Sequence, residues 1–172
     1  MEPKLDAEGT APARSLFDLS GIDLSARVLS KAQIEEVIPH RGHMSLLDAI
    51  VWHNDDWSRC LAYKRIRGDE FWCEGHFPGK PTFPGVLMIE TAAQLACYSY
   101  LALTRKKTLV LFLRIEEAAF RSTVSPGDDF YVMCQDVKRQ RKRFVIDTMG
   151  MVGDRVAFNA RVSGMMTDAS EF

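Results

Sequence analysis

The sequence predicts an α+β fold, an antiparallel sheet of five or more long strands with one dominant helix between its early and late strands. Three observations carry this expectation. One apolar stretch, "VLMIETAAQLACYSYLAL" at 86–103, is long enough for about five helical turns and has no counterpart of similar length. Strand-like segments both precede and follow it. The last of them, "RVAFNARVSGMM" at 155–166, alternates: Val156, Phe158, Ala160 and Val162 point one way, Arg155, Asn159, Arg161 and Ser163 the other. A helix that is apolar on nearly every side has to be wrapped, and a sheet with one wet face can wrap it.

In chain order, residues 1–30 mix Ala, Pro, Ser and charge and read as a loosely ordered N-terminal extension, with short apolar pieces only in "SLFDLSGIDLSARVLS". Residues 31–172 read as a single domain. "SKAQIEEVIPH" offers Ser30 as an N-cap and must end by Pro39, so a short helix is expected. "LLDAIVWH" and "SRCLAYKRI" flank "NDD" as a hairpin. Behind the long helix, "TLVLFLRI" is apolar almost throughout and suits a buried central strand. "DFYVMCQDV" follows the turn "SPGDD", and Gly153 with Asp154 joins "RFVIDTMGMV" to the last strand as a two-residue hairpin. No second long helix is available to cover the remaining sheet surface, so association through an edge or a face is expected, giving at least a dimer.

Composition removes several function classes. A chain of 172 residues with 47% apolar and 26% charged residues fits one soluble domain that buries its core without disulfides or metal. A net charge of −1 supplies no global attraction to nucleic acid or membrane. Cys60, Cys73, Cys97 and Cys134 show no C-x-x-C spacing, which speaks against a zinc site or disulfide framework and for a reducing cytoplasm. The opening "MEPKLDAEGTAPAR" has no apolar core behind positive charge, so no secretory leader is expected. The 86–103 stretch has the length of a membrane span, with Arg105, Lys106 and Lys107 behind it. Glu90 and Gln94 fall inside it, however, and an ionised group at mid-bilayer costs about 3 kcal/mol, so the centre of a globular fold is the better account.

The chemistry concentrates in "EGHFPGKPTFPGVLMIETAAQ", residues 74–94. Pro84 suits a helix start, and Gly85 and Val86 then present free N–H groups at the positive end of the helix dipole, where a carbonyl oxygen gaining charge could be held. Glu90 lies about one and a half turns further on, with Gln94 one turn beyond it on the same face. A carboxyl among Leu87, Met88, Ile89 and Ala93 is desolvated, which favours its protonated form and makes a proton donor conceivable, although a solvent stripe or an ion pair would also accommodate it. His76 is bracketed by Gly75 and by Phe77-Pro78-Gly79, which holds its backbone and favours a positioned base over a free surface histidine. A base, an acid and an oxyanion-receiving terminus within fifteen residues support one another.

"GHFPGKPTFPGVLMIETAAQ" resembles the signature of the FabZ-type 3-hydroxyacyl-[acyl carrier protein] dehydratases of fatty acid synthesis. "IEEVIPHRGHMSLLD" is similar to that family's opening Pro-His-Arg segment, and "LRIEEAAFRSTVSPGD" to its Pro-Gly-Asp region, so that about residues 31–166 are covered. The resemblance implies the hotdog fold, an antiparallel sheet wrapped around one long central helix. It also implies dehydration of 3-hydroxyacyl thioesters to trans-2-enoyl thioesters. His76 would be the base and Glu90 the acid, contributed to one site by different subunits of a homodimer, with a trimer of dimers as the larger assembly. The Gly85 N–H would polarise the thioester carbonyl, Gln94 would orient Glu90 or its helix face, and Phe77 would flank the substrate. No metal or redox cofactor is implied, because the thioester already acidifies the C2 proton.

Leu111, Phe112 and Leu113 could line the tunnel for the acyl chain, though plain core has the same composition. The acyl carrier protein is acidic, and "KRQRKR" (Lys138, Arg139, Arg141, Lys142, Arg143), Arg121 or the Arg105-Lys106-Lys107 cluster could meet it; a solvated charge run reads the same way. Three residues depart from the family pattern. Gly42 and His43 follow Pro-His-Arg where an aromatic and a proline are usual, which is expected to loosen a loop near the site. Arg114 stands where a small residue is usual and is expected to touch a polar group or narrow the tunnel. His40 and His43 have H-x-x-H spacing, but the helical H-E-x-x-H context of a zinc site is absent. A hotdog thioesterase and a non-catalytic, acyl-carrier-binding hotdog subunit are the alternatives; the first does not call for "GHFPG", and the second would not need both His76 and Glu90.

Overall fold

The computed structural model describes residues 15–104 and 108–167. Its elements are β1 (Leu29–Ser30), α1 (Lys31–Glu35), β2 (Ala49–His53), β3 (Arg59–Arg65), α2 (Gly85–Thr104), β4 (Val110–Phe120), β5 (Asp129–Arg139), β6 (Arg143–Val152) and β7 (Arg155–Met166). Every strand pairing is antiparallel, in one seven-stranded sheet of order β1-β2-β3-β5-β6-β7-β4. The sheet curls around α2, which is the hotdog architecture.

Local sequence explains the boundaries. Ser30 caps α1 through a capping box with Gln33, and the helix ends three residues ahead of Ile38-Pro39. Helix α2 begins one residue after Pro84, whose carbonyl takes the first two helical bonds, from the Leu87 and Met88 amides at 2.9 and 3.1 Å. Twelve of its twenty residues are buried, which settles why a nearly uniformly apolar helix belongs at the centre of a sheet. Ala92, Leu95, Ala96 and Tyr100 pack against Ala62, Val132, Ile146 and Val162 of the strands. A fully enclosed side chain such as Leu95 contributes about 2 kcal/mol by leaving water.

A second, smaller apolar cluster lies on the opposite face of the sheet. Phe17 of the N-terminal extension, with Leu16, Leu19 and Ile22 beside it, packs onto Val51, Leu61 and Met133 of β2, β3 and β5. Phe17 tilts against Trp52 at 5.5 Å between ring centroids, Arg27 sits 4.0 Å over the Tyr63 ring, and the Tyr131 hydroxyl donates to the Leu24 carbonyl at 3.1 Å. From Ser15 onward the extension is therefore in contact with the sheet.

One strand departs from the sequence reading. The run around Leu111–Leu113 was expected to be central and buried, whereas β4 pairs only with β7 and stands at the sheet edge. Leu111, Phe112, Leu113 and Ile115 keep 41–45% of their surface, and Phe120 keeps 53%. Among the described residues the apolar side chains of this strand are only partly covered. The basic cluster Arg105-Lys106-Lys107 lies outside the described residues.

Candidate active site

His76 sits in the irregular segment between β3 and α2, and the backbone around it is tied at several points. Its amide donates to the Trp72 carbonyl at 2.9 Å, its carbonyl accepts from the Thr82 amide at 2.7 Å, and the Phe83 amide reaches Val124 at 2.7 Å. Phe77-Pro78-Gly79-Lys80 closes a tight turn through the Lys80 amide and Phe77 carbonyl at 3.0 Å, with Gly79 at φ +74. Proline at the second position and a positive-φ glycine at the third are what a type II turn requires. The His76 ring stacks on Phe77 at 4.0 Å, and its Nδ1 lies 2.7 Å from the Thr82 carbonyl. A carbonyl can only accept, so the neutral ring carries its proton on Nδ1 and leaves the Nε2 lone pair free.

His76 shares an open, largely apolar cavity of about 570 Å³ with Thr82, Pro84, Gly85, Val86 and Phe120. The Gly85 and Val86 amides precede the first helical hydrogen bond and lie at the positive end of α2. Gly85 has no room for a side chain: an added Cβ would stand 2.7 Å from Cε1 of the Phe120 ring. Glycine is thus what allows β4 to come this close to the helix start.

Glu90 lies in a different, small cavity with His40, Ala93, Cys97, Val110, Leu111, Phe112, Phe144 and Gly164. The two cavities have no lining residue in common. Gln94, fully buried, donates to Glu90 Oε1 at 2.9 Å and to the Met44 carbonyl at 2.8 Å, and accepts from the Leu46 amide at 3.0 Å. This amide pins the carboxylate and also pins the segment that follows Gly42 and His43, the loop expected to be loosened. The Glu90 side chain keeps 28% of its surface in the single chain, more than the sequence-based expectation of a desolvated carboxyl.

A residue weighed from the sequence only as half of an H-x-x-H pair stands beside it. His40 Nε2 lies 3.5 Å from Glu90 Oε1. Burial, and secondarily the Arg41 charge, push the His40 imidazole below its ordinary value against the pull of Glu90. The same cavity raises the Cys97 thiol to about 12, through burial and then the Glu90 charge.

The FabA-like domain family matches residues 38–161, a span that contains His40, His76, Gly85, Glu90 and Gln94. The chain belongs to this family. Among its relatives are the 3-hydroxyacyl-[acyl-carrier-protein] dehydratases FabZ of Desulfotalea psychrophila, 34% identical over 75% of this chain and 87% of that protein, and of Sulfurovum sp., 32% identical over 82% and 99%. The FabZ of Campylobacter hominis is 33% identical over 79% of the chain and 96% of that protein. This member's fold is also that of the dehydratase heterocomplex ApeI:P from Xenorhabdus doucetiae, with a TM-score of 0.70 at 15% identity over 84% of this chain and 95% of that one. A Streptococcus pneumoniae hypothetical thioesterase with coenzyme A aligns at a TM-score of 0.55, 10% identity, 78% and 91% coverage. At such identities the structural likeness speaks for the fold alone.

The remaining sequence candidates are dispersed. Leu111 and Phe112 line the Glu90 cavity, while Leu113 and Arg114 line a separate cavity of about 440 Å³ with Glu116, Lys138, Gln140 and Arg143. Arg114 thus opens onto that basic cavity. Arg139 is not a free surface cation: its guanidinium turns inward to Asp136 at 2.5 Å, the Trp57 carbonyl at 2.9 Å and Ser99 Oγ at 3.1 Å. Arg121 donates to Asn159 at 2.9 Å, and Arg141 is exposed at the β5–β6 turn, with the partly buried Lys142 next to it.

Proposed function

We propose that this chain dehydrates 3-hydroxyacyl-[acyl carrier protein] thioesters to trans-2-enoyl thioesters in fatty acid synthesis, at two sites shared between paired copies. Family membership supports the reaction class. The observation that carries the shared site is the position of the two half-sites at opposite ends of one exposed apolar strand. The His76 cavity meets β4 at Phe120, and the Glu90 cavity meets it at Val110–Phe112. A twofold axis through Ile115, midway along β4, would lay the Phe120 end of one copy beside the Val110 end of the other. His76 of one copy then faces the partner's Glu90, twice per dimer, and the exposed Leu111, Phe112, Ile115, Phe120, Val86 and Phe77 all lose their contact with water.

The mechanism follows from these positions. His76 Nε2 takes the proton from C2 of the substrate. The electron pair moves to the thioester oxygen, held by the Gly85 N–H at the helix terminus. As the charge returns, the C2–C3 double bond forms and the C3–O bond breaks, with Glu90 protonating the departing hydroxyl as water. Proton exchange with solvent resets both groups. Gln94 keeps the carboxyl in place. The acyl chain extends past Ala93 and Cys97 between α2 and the β4–β7 pair. Arg114, Lys138, Arg141, Arg143 and Arg121 offer positive charge to the acidic acyl carrier protein, while Arg139 is already engaged by Asp136.

Mass spectrometry of a 3-hydroxyacyl carrier protein incubated with wild type, His76→Ala and Glu90→Gln tests the reading. Wild type alone should lose one water per substrate. Release of free acid would instead identify a thioesterase, and an unchanged substrate a binding subunit.

A further inference from the structure

The Glu90 carboxyl has two oxygens, and their surroundings differ. Oε1 receives the Gln94 amide at 2.9 Å and has His40 Nε2 at 3.5 Å. The ring sits at the side of the cavity that Glu90 lines, and its other nitrogen, Nδ1, is buried with no hydrogen-bond partner among the described residues. Two readings of that ring are possible. With the proton on Nδ1, a donor would be orphaned and the Nε2 lone pair would face a carboxylate oxygen. With the proton on Nε2, the N–H points at Glu90 and only an acceptor goes unused, which is the less costly arrangement.

We infer that His40 is a positioning residue that works as a neutral Nε2–H donor, closing with Gln94 on Glu90 Oε1 so that the transferable proton resides on Oε2. This inference rests on the dehydratase reading. A carboxylic acid has one carbonyl-like oxygen that accepts and one hydroxyl that donates. Two N–H donors directed at Oε1 assign it the accepting part in both protonation states. The proton then returns to the same atom after every turnover, the oxygen to which neither of these donors is directed. The 3.5 Å separation is longer than the roughly 2.7–3.2 Å of a formed N–H···O bond, and such contacts commonly tighten when substrate completes the site.

The charged groups facing the ring are consistent with a neutral imidazole. Glu90 is the acid on α2, and Cys97 shares the cavity with its thiol raised to about 12. The neighbouring Arg41 turns its guanidinium to the carbonyls of Glu35, Ile38 and His40 at 2.6–2.7 Å. Burial, opposed by Glu90, leaves the ring below its ordinary value.

The test compares His40→Leu, which removes the donor, with His40→Gln, whose amide nitrogen can stand where Nε2 stands. On a 3-hydroxyacyl carrier protein, His40→Leu should lower kcat about tenfold, the worth of one hydrogen bond to a charged group, with KM changed less than about twofold. His40→Gln should recover most of the loss, which a merely structural role would not provide. In substrate-free enzyme, imidazole 15N NMR should find the His40 proton on Nε2, and the ring should titrate lower still in Glu90→Gln. Full kcat in His40→Leu, no rescue by His40→Gln, or a proton on Nδ1 would each overturn the inference while leaving the dehydratase reading intact. A wild type that releases no water would overturn that reading, and proton delivery with it.

Discussion

Mixing two inactive variants should restore activity under the proposed arrangement, in which His76 and Glu90 of one site come from two chains. His76→Ala removes the proposed base and Glu90→Gln the proposed acid, and each alone should fall about a hundredfold or more below wild type, the usual worth of a positioned general acid or base. In a mixed dimer, the His76 of the Glu90→Gln chain meets the Glu90 of the His76→Ala chain, giving one complete site, while the other site lacks both groups. Random pairing makes about half of all dimers mixed, each with one working site of two, so the mixture should reach about a quarter of wild-type turnover. Co-expression with two different tags and sequential purification isolates the mixed dimer, which should reach about half. The assay is water loss from a 3-hydroxyacyl carrier protein. The structural basis is that the His76 and Glu90 cavities share no residue and lie at opposite ends of β4. Turnover no higher than the two parents together would place base and acid in one chain and refute the twofold arrangement.

Three further outcomes follow from the same geometry. Ile115→Lys puts a charge at mid-β4, where the side chain is already 45% exposed, so size-exclusion chromatography should show folded monomers with no dehydration; an intact dimer would show that β4 is not the interface. Phe144 lies at the end of the Glu90 cavity, its ring 4.9 Å from Tyr100 and filling the space that a side chain at Gly164 would need, with Cζ at 2.4 Å from an added Cβ. Phe144→Leu should move turnover toward longer acyl chains, at a cost of about 1–2 kcal/mol in denaturant unfolding, and an unchanged chain-length profile would refute a tunnel ending there. Glu70 is partly desolvated, but the Arg67 amide at 3.0 Å, Lys64 at 2.9 and 3.0 Å and Trp72 at 3.2 Å outweigh burial and hold its carboxyl below the ordinary value. A depressed carboxyl stabilises the fold above its unfolded-state titration and loses that contribution as pH falls through the folded value. Glu70→Gln should therefore cost about 3 kcal/mol at neutral pH, by orphaning the buried Lys64, and should flatten the acid limb of stability against pH; parallel curves would contradict this.

The fold was legible where pattern and burial coincide. Helix α2, the alternating β7 and the Gly153-Asp154 hairpin could be read because their periodicities answer to a core within the same chain. Strand β4 could not be placed, because Leu111–Leu113 have the composition of a strand buried on both sides, and that composition does not say which molecule does the burying. His76, Gly85, Glu90 and Gln94 drew attention through spacing within a single stretch. The His40 contact with Glu90 spans fifty positions, and Gln94 reaches Met44 and Leu46 from as far away, so neither could be read before the chain was folded. Arg139 illustrates the opposite error: it belongs to a basic run, yet Asp136 three residues earlier, with the Trp57 carbonyl, draws it out of solvent.

The family-matched segment, residues 38–161, is the natural choice for anyone wishing to prepare a shorter protein. That choice would strip Phe17, Leu19 and Ile22 from Val51, Leu61 and Met133, side chains that are now at most 1% accessible. The shortened protein would meet water with a greasy patch on the side of the sheet remote from the helix, and would clump through it. Residues 16–27 thus serve as a lid of the protein's own making, and a preparation that omits them would misreport both its solubility and its size.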